Sequence, residues 1–122
     1  MSAIIIKTVN EVTNLDAINS RDANAFLILR SFDFVNNRIN VRLEKEVLDA
    51  QGQITREVMQ NFQRAVSENV MNNLWTTYGN DLLSSEQWTS EIRAYMAQLL
   101  KLYAQNEGWF GLTAADWEIV TP

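Results

Sequence analysis

Glu44 and Glu46 lie two residues apart in the stretch INVRLEKEVL. If that stretch is a strand, both carboxylates share one face about 7 Å apart. Such a separation suits paired-carboxylate hydrolysis in principle. Asp116 and Glu118 have the same spacing around Trp117, and a carboxylate held against an indole can have a raised pKa. Each pair has a plainer reading. Glu44 and Glu46 fall on the polar side of an alternating run, beside Arg42, as a solvated sheet surface would. Asp116 and Glu118 stand close to the last residue of the sequence, a poor place to preorganise a site. The serines of SSEQW have no G-x-S-x-G setting and read as the start of a helix.

The 122 residues contain no histidine and no cysteine. Histidine is the commonest general base near neutral pH and the commonest metal ligand. Its absence removes Ser-His-Asp and Cys-His catalysis from this chain. The absence of cysteine excludes disulfides and thiolate sites, and with histidine also absent zinc sites of ordinary composition are excluded. No P-loop, G-x-G-x-x-G or calcium-loop pattern occurs. The residues therefore point to no catalytic group, no cofactor and no metal.

Charge excludes further classes. Residues 1–64 hold eight bases and eight acids, whereas residues 65–122 hold two bases, Arg93 and Lys101, against seven acids. The whole net charge of −5 lies in the second half. Such a surface repels phosphate backbones and anionic membranes. Arg21, Arg30, Arg38 and Arg42 are interleaved with Asp22, Asp33 and Glu44, which argues against a basic patch. The expected partners are thus proteins, with no nucleic acid and no membrane. The apolar run Ala3–Ile6 is too short for a secretory signal, and no run approaches the length of a membrane span. Unless a further signal places it elsewhere, the chain is expected in the cytoplasm.

The elements that would hold these groups follow from hydrophobic period. Residues 3–9 suit a short strand. Val12, Leu15 and Ile18 recur every three residues, which predicts one or two helical turns. AFLILRSFDFV has the composition of a largely buried strand. Asn36-Asn37-Arg38 makes a turn. INVRLEKEVL then alternates, with Ile39, Val41, Leu43 and Val47 on one side and Asn40, Arg42, Glu44 and Glu46 on the other. Lys45 is the intruder, and its stem is expected to snorkel. These two runs predict an antiparallel hairpin. DAQGQ makes a second turn, and Ile54 opens a short third strand.

From about residue 57 the steps lengthen. Val58, Phe62, Val66, Val70, Leu74 and Tyr78 recur every four residues and predict a long helix, stopped at Gly79-Asn80. Ser84 with Gln87 has capping-box form. A second long helix is expected from about Ser85 to Gln105, with a stripe of Trp88, Ile92, Tyr95, Met96, Leu99, Leu100 and Tyr103, and a stop at Gly108. Leu99→Ala is expected to cost about 2–5 kcal/mol if that side chain is core. Thr113 with Asp116 suits a last short turn, and WEIV a closing strand. The fold class is α+β: an N-terminal antiparallel hairpin or meander packed on two long amphipathic helices, with a short aromatic C-terminal segment, in one domain over residues 1–122.

The remaining signal is aromatic. All four tryptophans follow residue 74. Trp109, Phe110 and Trp117 crowd the end of the chain around Gly108 and Gly111. They either seal the core or anchor a partner, since Trp and Tyr are enriched among interface anchors. The favoured reading is a structural or assembly subunit, a homo-oligomer or a member of a hetero-assembly, with Trp109, Phe110 and Trp117 at the interface. The alternative is a small-ligand or peptide module whose pocket lies between hairpin and helices, lined by Phe32, Phe34, Tyr95 and Trp88.

The hairpin with EVLDAQGQI, the asparagine-rich turns and the β-then-α order resemble small structural proteins of tailed bacteriophage virions. The resemblance covers residues 26–56. It implies a non-enzymatic, oligomeric protein of the head, neck, tail or baseplate, located in the virion. It assigns no functional residue.

Overall fold

The alternating run around Arg42 forms β5 (Arg38–Leu48), which lies between β4 (Ala25–Asp33) and β6 (Ile54–Ala65) in a five-stranded antiparallel sheet. The computed structural model describes residues 4–83 and 88–120. On its far side β4 pairs with β1 (Ile4–Thr8), and β1 pairs with β7 (Trp117–Val120), so the order is β6-β5-β4-β1-β7. The chain thus closes its sheet by bringing its last described residues beside its first. A separate two-stranded ribbon is made by β2 (Val12–Asp16) and β3 (Arg21–Ala23). Two helices follow the meander, α1 (Glu68–Tyr78) and α2 (Ser90–Glu107). The class is α+β.

The pleat explains the core. Ile4 and Ile6 of β1 sit opposite Leu29 and Leu27 of β4, which sit opposite Val41 and Leu43 of β5. All six are buried, on the face that the helices cover. From α2, Ile92, Met96, Ala97, Leu100 and Ala104 complete the cluster, with Met71 and Leu74 from α1. Among the described residues no helix covers the other sheet face, yet Phe26 and Ile28 are also buried there. Long side chains cover it: the Arg56 guanidinium lies 4.9 Å above the Phe26 ring.

Three expectations are corrected. Residues 57–65 belong to strand β6, not to a helix, and α1 begins only at Glu68. A four-residue step is close to a helical period but is also a multiple of the strand period, so Val58 and Phe62 fit both. Here the neighbouring β5 provides a ladder along the whole length of β6. Val12 to Asp16 form a strand with only a 3₁₀ turn after it, over Ala17–Asn19. The second helix starts at Ser90: Thr89 is the N-cap, its hydroxyl accepting from the Ile92 N–H at 3.2 Å. The expected Ser84–Gln87 capping box lies outside the described residues. The stops agree with expectation, Gly79 following α1 and Gly108 closing α2 with φ +72°. Thr113 and Asp116 form a capping box ahead of β7.

Two carboxylates tie the turns and ribbon to this frame. Asp16 is 1% exposed and accepts from Asn19 Nδ2, Arg21 Nη1 and the Leu48 N–H. Burial pushes its pKa up, but these bonds and the Arg21 charge outweigh burial and hold it below the ordinary carboxylate range. Asp33 is lowered chiefly by the Asn36 side chain, which donates at 2.8 Å, and by the Asn36 and Val35 N–H groups. A carboxyl lowered in the native state stabilises fully above its unfolded pKa, near 4, and loses that contribution as pH falls through the native value. Stability is therefore expected to drop as pH falls below about 4. Asp16→Asn and Asp33→Asn should each flatten this acid limb in urea midpoints measured against pH. An unchanged slope in both would refute the assignment.

Candidate functional site

The carboxylate pairs are committed elsewhere. Glu44 is 7% exposed, not solvated as the alternation suggested. Arg42 Nη1 and Arg56 Nε each lie 3.5 Å from it, one on each oxygen. Its cross-strand neighbours are Phe26 and Val58. It is a buried charge with two cations, which is what burial of a carboxylate requires. Glu46 lies half-buried further along the strand, opposite Arg56. Asp116 spends its carboxylate on the Thr113 N–H and hydroxyl at 2.8 and 3.1 Å. Glu118 pairs with Lys7 at 3.6 Å across β7 and β1. Lys45 reaches back to the Leu15 carbonyl at 3.4 Å. Among the described residues no three carboxylates gather as a metal site would need.

The aromatic C-terminal stretch divides. Trp117 is 1% exposed on β7, packed into the core opposite Thr8 of β1. Among the described residues no group accepts from its buried indole N–H. Trp109 and Phe110 are half-buried against the same core. The Trp109 ring meets the Phe62 ring edge-on at 5.1 Å. Phe110 has φ +58° between two positive-φ glycines, Gly108 and Gly111. The left-handed region costs a residue with a Cβ about 1–2 kcal/mol, so packing of the Phe110 ring must hold the reversal that turns the chain from α2 towards β7. The two glycines serve this reversal.

A cavity of about 300 Å³ opens between α2, the start of α1 and the sheet. Its deep wall is Leu29, Ile39, Met96 and Leu100, all buried. Phe32, Val66, Val70, Leu99 and Tyr103 form the sides, and Ser67, Leu102 and Asn106 the rim. Of the four residues expected to line a pocket, only Phe32 does so. Phe34 instead stacks on Phe32 at 4.3 Å and meets Trp88 and Trp75 edge-on. Tyr95 packs edge-on against Tyr78 at 5.9 Å. The Trp88 N–H donates to the Leu82 carbonyl at 3.0 Å. Because α1 starts eleven residues later than the spacing suggested, Val66, Ser67 and Val70 reach the cavity instead of running along a helix from residue 57. The Tyr103 hydroxyl donates to the Ala65 carbonyl, and burial raises the Tyr103 pKa, so the phenol stays neutral.

The outer edge of the sheet is the second feature, and it is formed largely by residues that the spacing assigns to a helix from about residue 57. Strand β6 runs twelve residues and, among the described residues, pairs only with β5. Ten of its twelve residues are exposed, including Ile54, Val58 and Met59. A bulge at Met59 shifts the register, so Val58 opposes Glu44 on the open face while Phe62 opposes Val41 on the core face. Ion pairing of Arg64 with Glu107 at 2.7 Å fixes the far end of β6 to α2.

No helix among the described residues is long and apolar enough to cross a membrane. Comparison with protein-family models, with curated proteins and with solved structures finds no match to this chain.

Proposed function

We propose that this chain is a non-enzymatic structural or assembly subunit that joins a larger protein complex by adding β6 to a neighbouring sheet. The supporting observation is the long free edge of β6 with Ile54, Val58 and Met59 exposed along it. An edge strand offers a row of unpaired N–H and C=O groups, and strand addition is a common way for proteins to associate. The bulge and the charges Arg56, Glu57 and Arg64 restrain indiscriminate pairing, so the partner must match them in register. The neighbour is a second copy or another subunit of the assembly, and the virion of a tailed phage is the setting that the resemblance implies. Trp109 remains partly open beside Phe62 of β6 and would extend the same contact, whereas Trp117 is buried on β7, at the opposite edge of the sheet.

Mass in solution, measured across a wide concentration range and after mixing with proteins encoded by neighbouring genes, tests the reading. The wild-type chain is expected to associate. Val58→Lys combined with Met59→Lys should abolish association with little change in thermal midpoint, because both side chains are exposed. A wild-type chain that stays monomeric in every mixture would sink the proposal.

A further inference from the structure

We infer that the cavity beside α2 is a binding site for a small uncharged apolar molecule, of the class of a short aliphatic chain with at most one hydroxyl or carbonyl head. The volume of about 300 Å³ is at the lower end of ordinary ligand pockets, about 300–1,000 Å³. It is about twice that of an engineered apolar cavity that admits benzene, about 150 Å³. The wall of Leu29, Ile39, Met96 and Leu100 offers a bound water none of the two to four polar partners it needs. Apolar atoms placed against that wall gain dispersion contacts and lose contact with water.

The polar groups set the class of the head. All lie at the sides or rim, and none is charged. Tyr103 is committed to the Ala65 carbonyl. Ser67 Oγ accepts from the Val70 N–H at 3.3 Å and keeps its own proton to donate. Asn106 is exposed at the mouth with an amide that both donates and accepts. One hydroxyl or carbonyl would be satisfied there. A carboxylate or ammonium entering the cavity would lose hydration with no opposite charge among the lining residues, and the nearby Arg64 is already paired with Glu107. The site touches β6 only at its last residue, Ala65, and includes none of Ile54, Val58 and Met59, so either reading can fail without the other.

The test uses the full chain labelled with ¹³C at its methionine and leucine methyl groups, and 1-octanol as the probe. Saturable shifts are expected at Met96 and Leu100, with octanoate at neutral pH binding at least tenfold more weakly. Val70→Trp and Leu99→Phe fill the cavity from different sides, and each should weaken octanol binding at least tenfold while circular dichroism stays native. If neither filled variant folds, the wild-type titration decides alone. Absent or non-saturating shifts, shifts confined to exposed methyls such as Leu83, equal binding of octanoate, or undiminished affinity in a folded filled variant would overturn the site.

Discussion

Trp117→Ala is expected to destabilise the fold by about 3–5 kcal/mol, the range for removing a buried tryptophan. The side chain is 1% exposed and belongs to the cluster that joins β1, β4 and α2. It also holds β7 in register, with Trp117 opposite Thr8 and Val120 opposite Ile5. Small domains have only about 5–15 kcal/mol in total, so the variant should unfold at much lower urea and lie near its folding threshold. Trp117→Phe separates two causes. It loses volume, but it also removes a buried indole N–H that no group among the described residues accepts from. An unsatisfied buried donor costs about 1–3 kcal/mol, so the phenylalanine variant should lose markedly less stability than volume alone implies. Equilibrium urea unfolding of both variants checks this. If Trp117→Ala retained wild-type stability, Trp117 could not be sealing the core.

Period two in Ile39, Val41 and Leu43 was readable because one face of β5 is buried and the other is polar, the condition under which alternation is clean. The helix stops were readable because Gly79 and Gly108 occupy positive-φ positions that side chains avoid. The capping box of Thr113 and Asp116 is a local device and declares itself locally. The closing of β1 against β7 was not readable, since about 110 residues separate the partners and nothing local records which strands will meet.

The misreadings share a cause. In β6, Val58 and Phe62 are both apolar but face opposite sides of the sheet, because the bulge at Met59 reverses the parity between them. With its outer edge and ten of its twelve residues open to solvent, β6 carries polar residues over most of its length, so no period-two stripe marks it. Glu44 looked solvated because alternation places it on the polar side. Its burial comes from Arg42, Arg56 and Phe26, which arrive from three different strands. The cavity was anticipated between hairpin and helices, but its lining was not, because the shift in the start of α1 changes which side chains reach it. Phe34 and Trp88 were sensible candidates by type, and they satisfy each other instead.

The phase of α2 gives the last expected result: Leu100→Ala should cost about 2–5 kcal/mol, and Leu99→Ala clearly less. Sequence spacing put both leucines in one stripe. In the structure Leu100 is 1% exposed and packs with Ile92, Met96 and Ala104 along the sheet, while Leu99 is only partly buried on the side of the cavity. Truncating Leu100 opens a void inside a packed layer, where the cost grows with the residual volume. Truncating Leu99 enlarges a space that already reaches solvent at Leu102 and Asn106, so fewer contacts are lost and water can enter at the rim. Val70 and Tyr103, on the other sides of that space, keep their own contacts with the core. Urea midpoints at constant slope measure the difference. Equal costs would mean that α2 is rotated so that Leu99 is as buried as Leu100, and Leu99 would then belong to the packed layer and not to the cavity side.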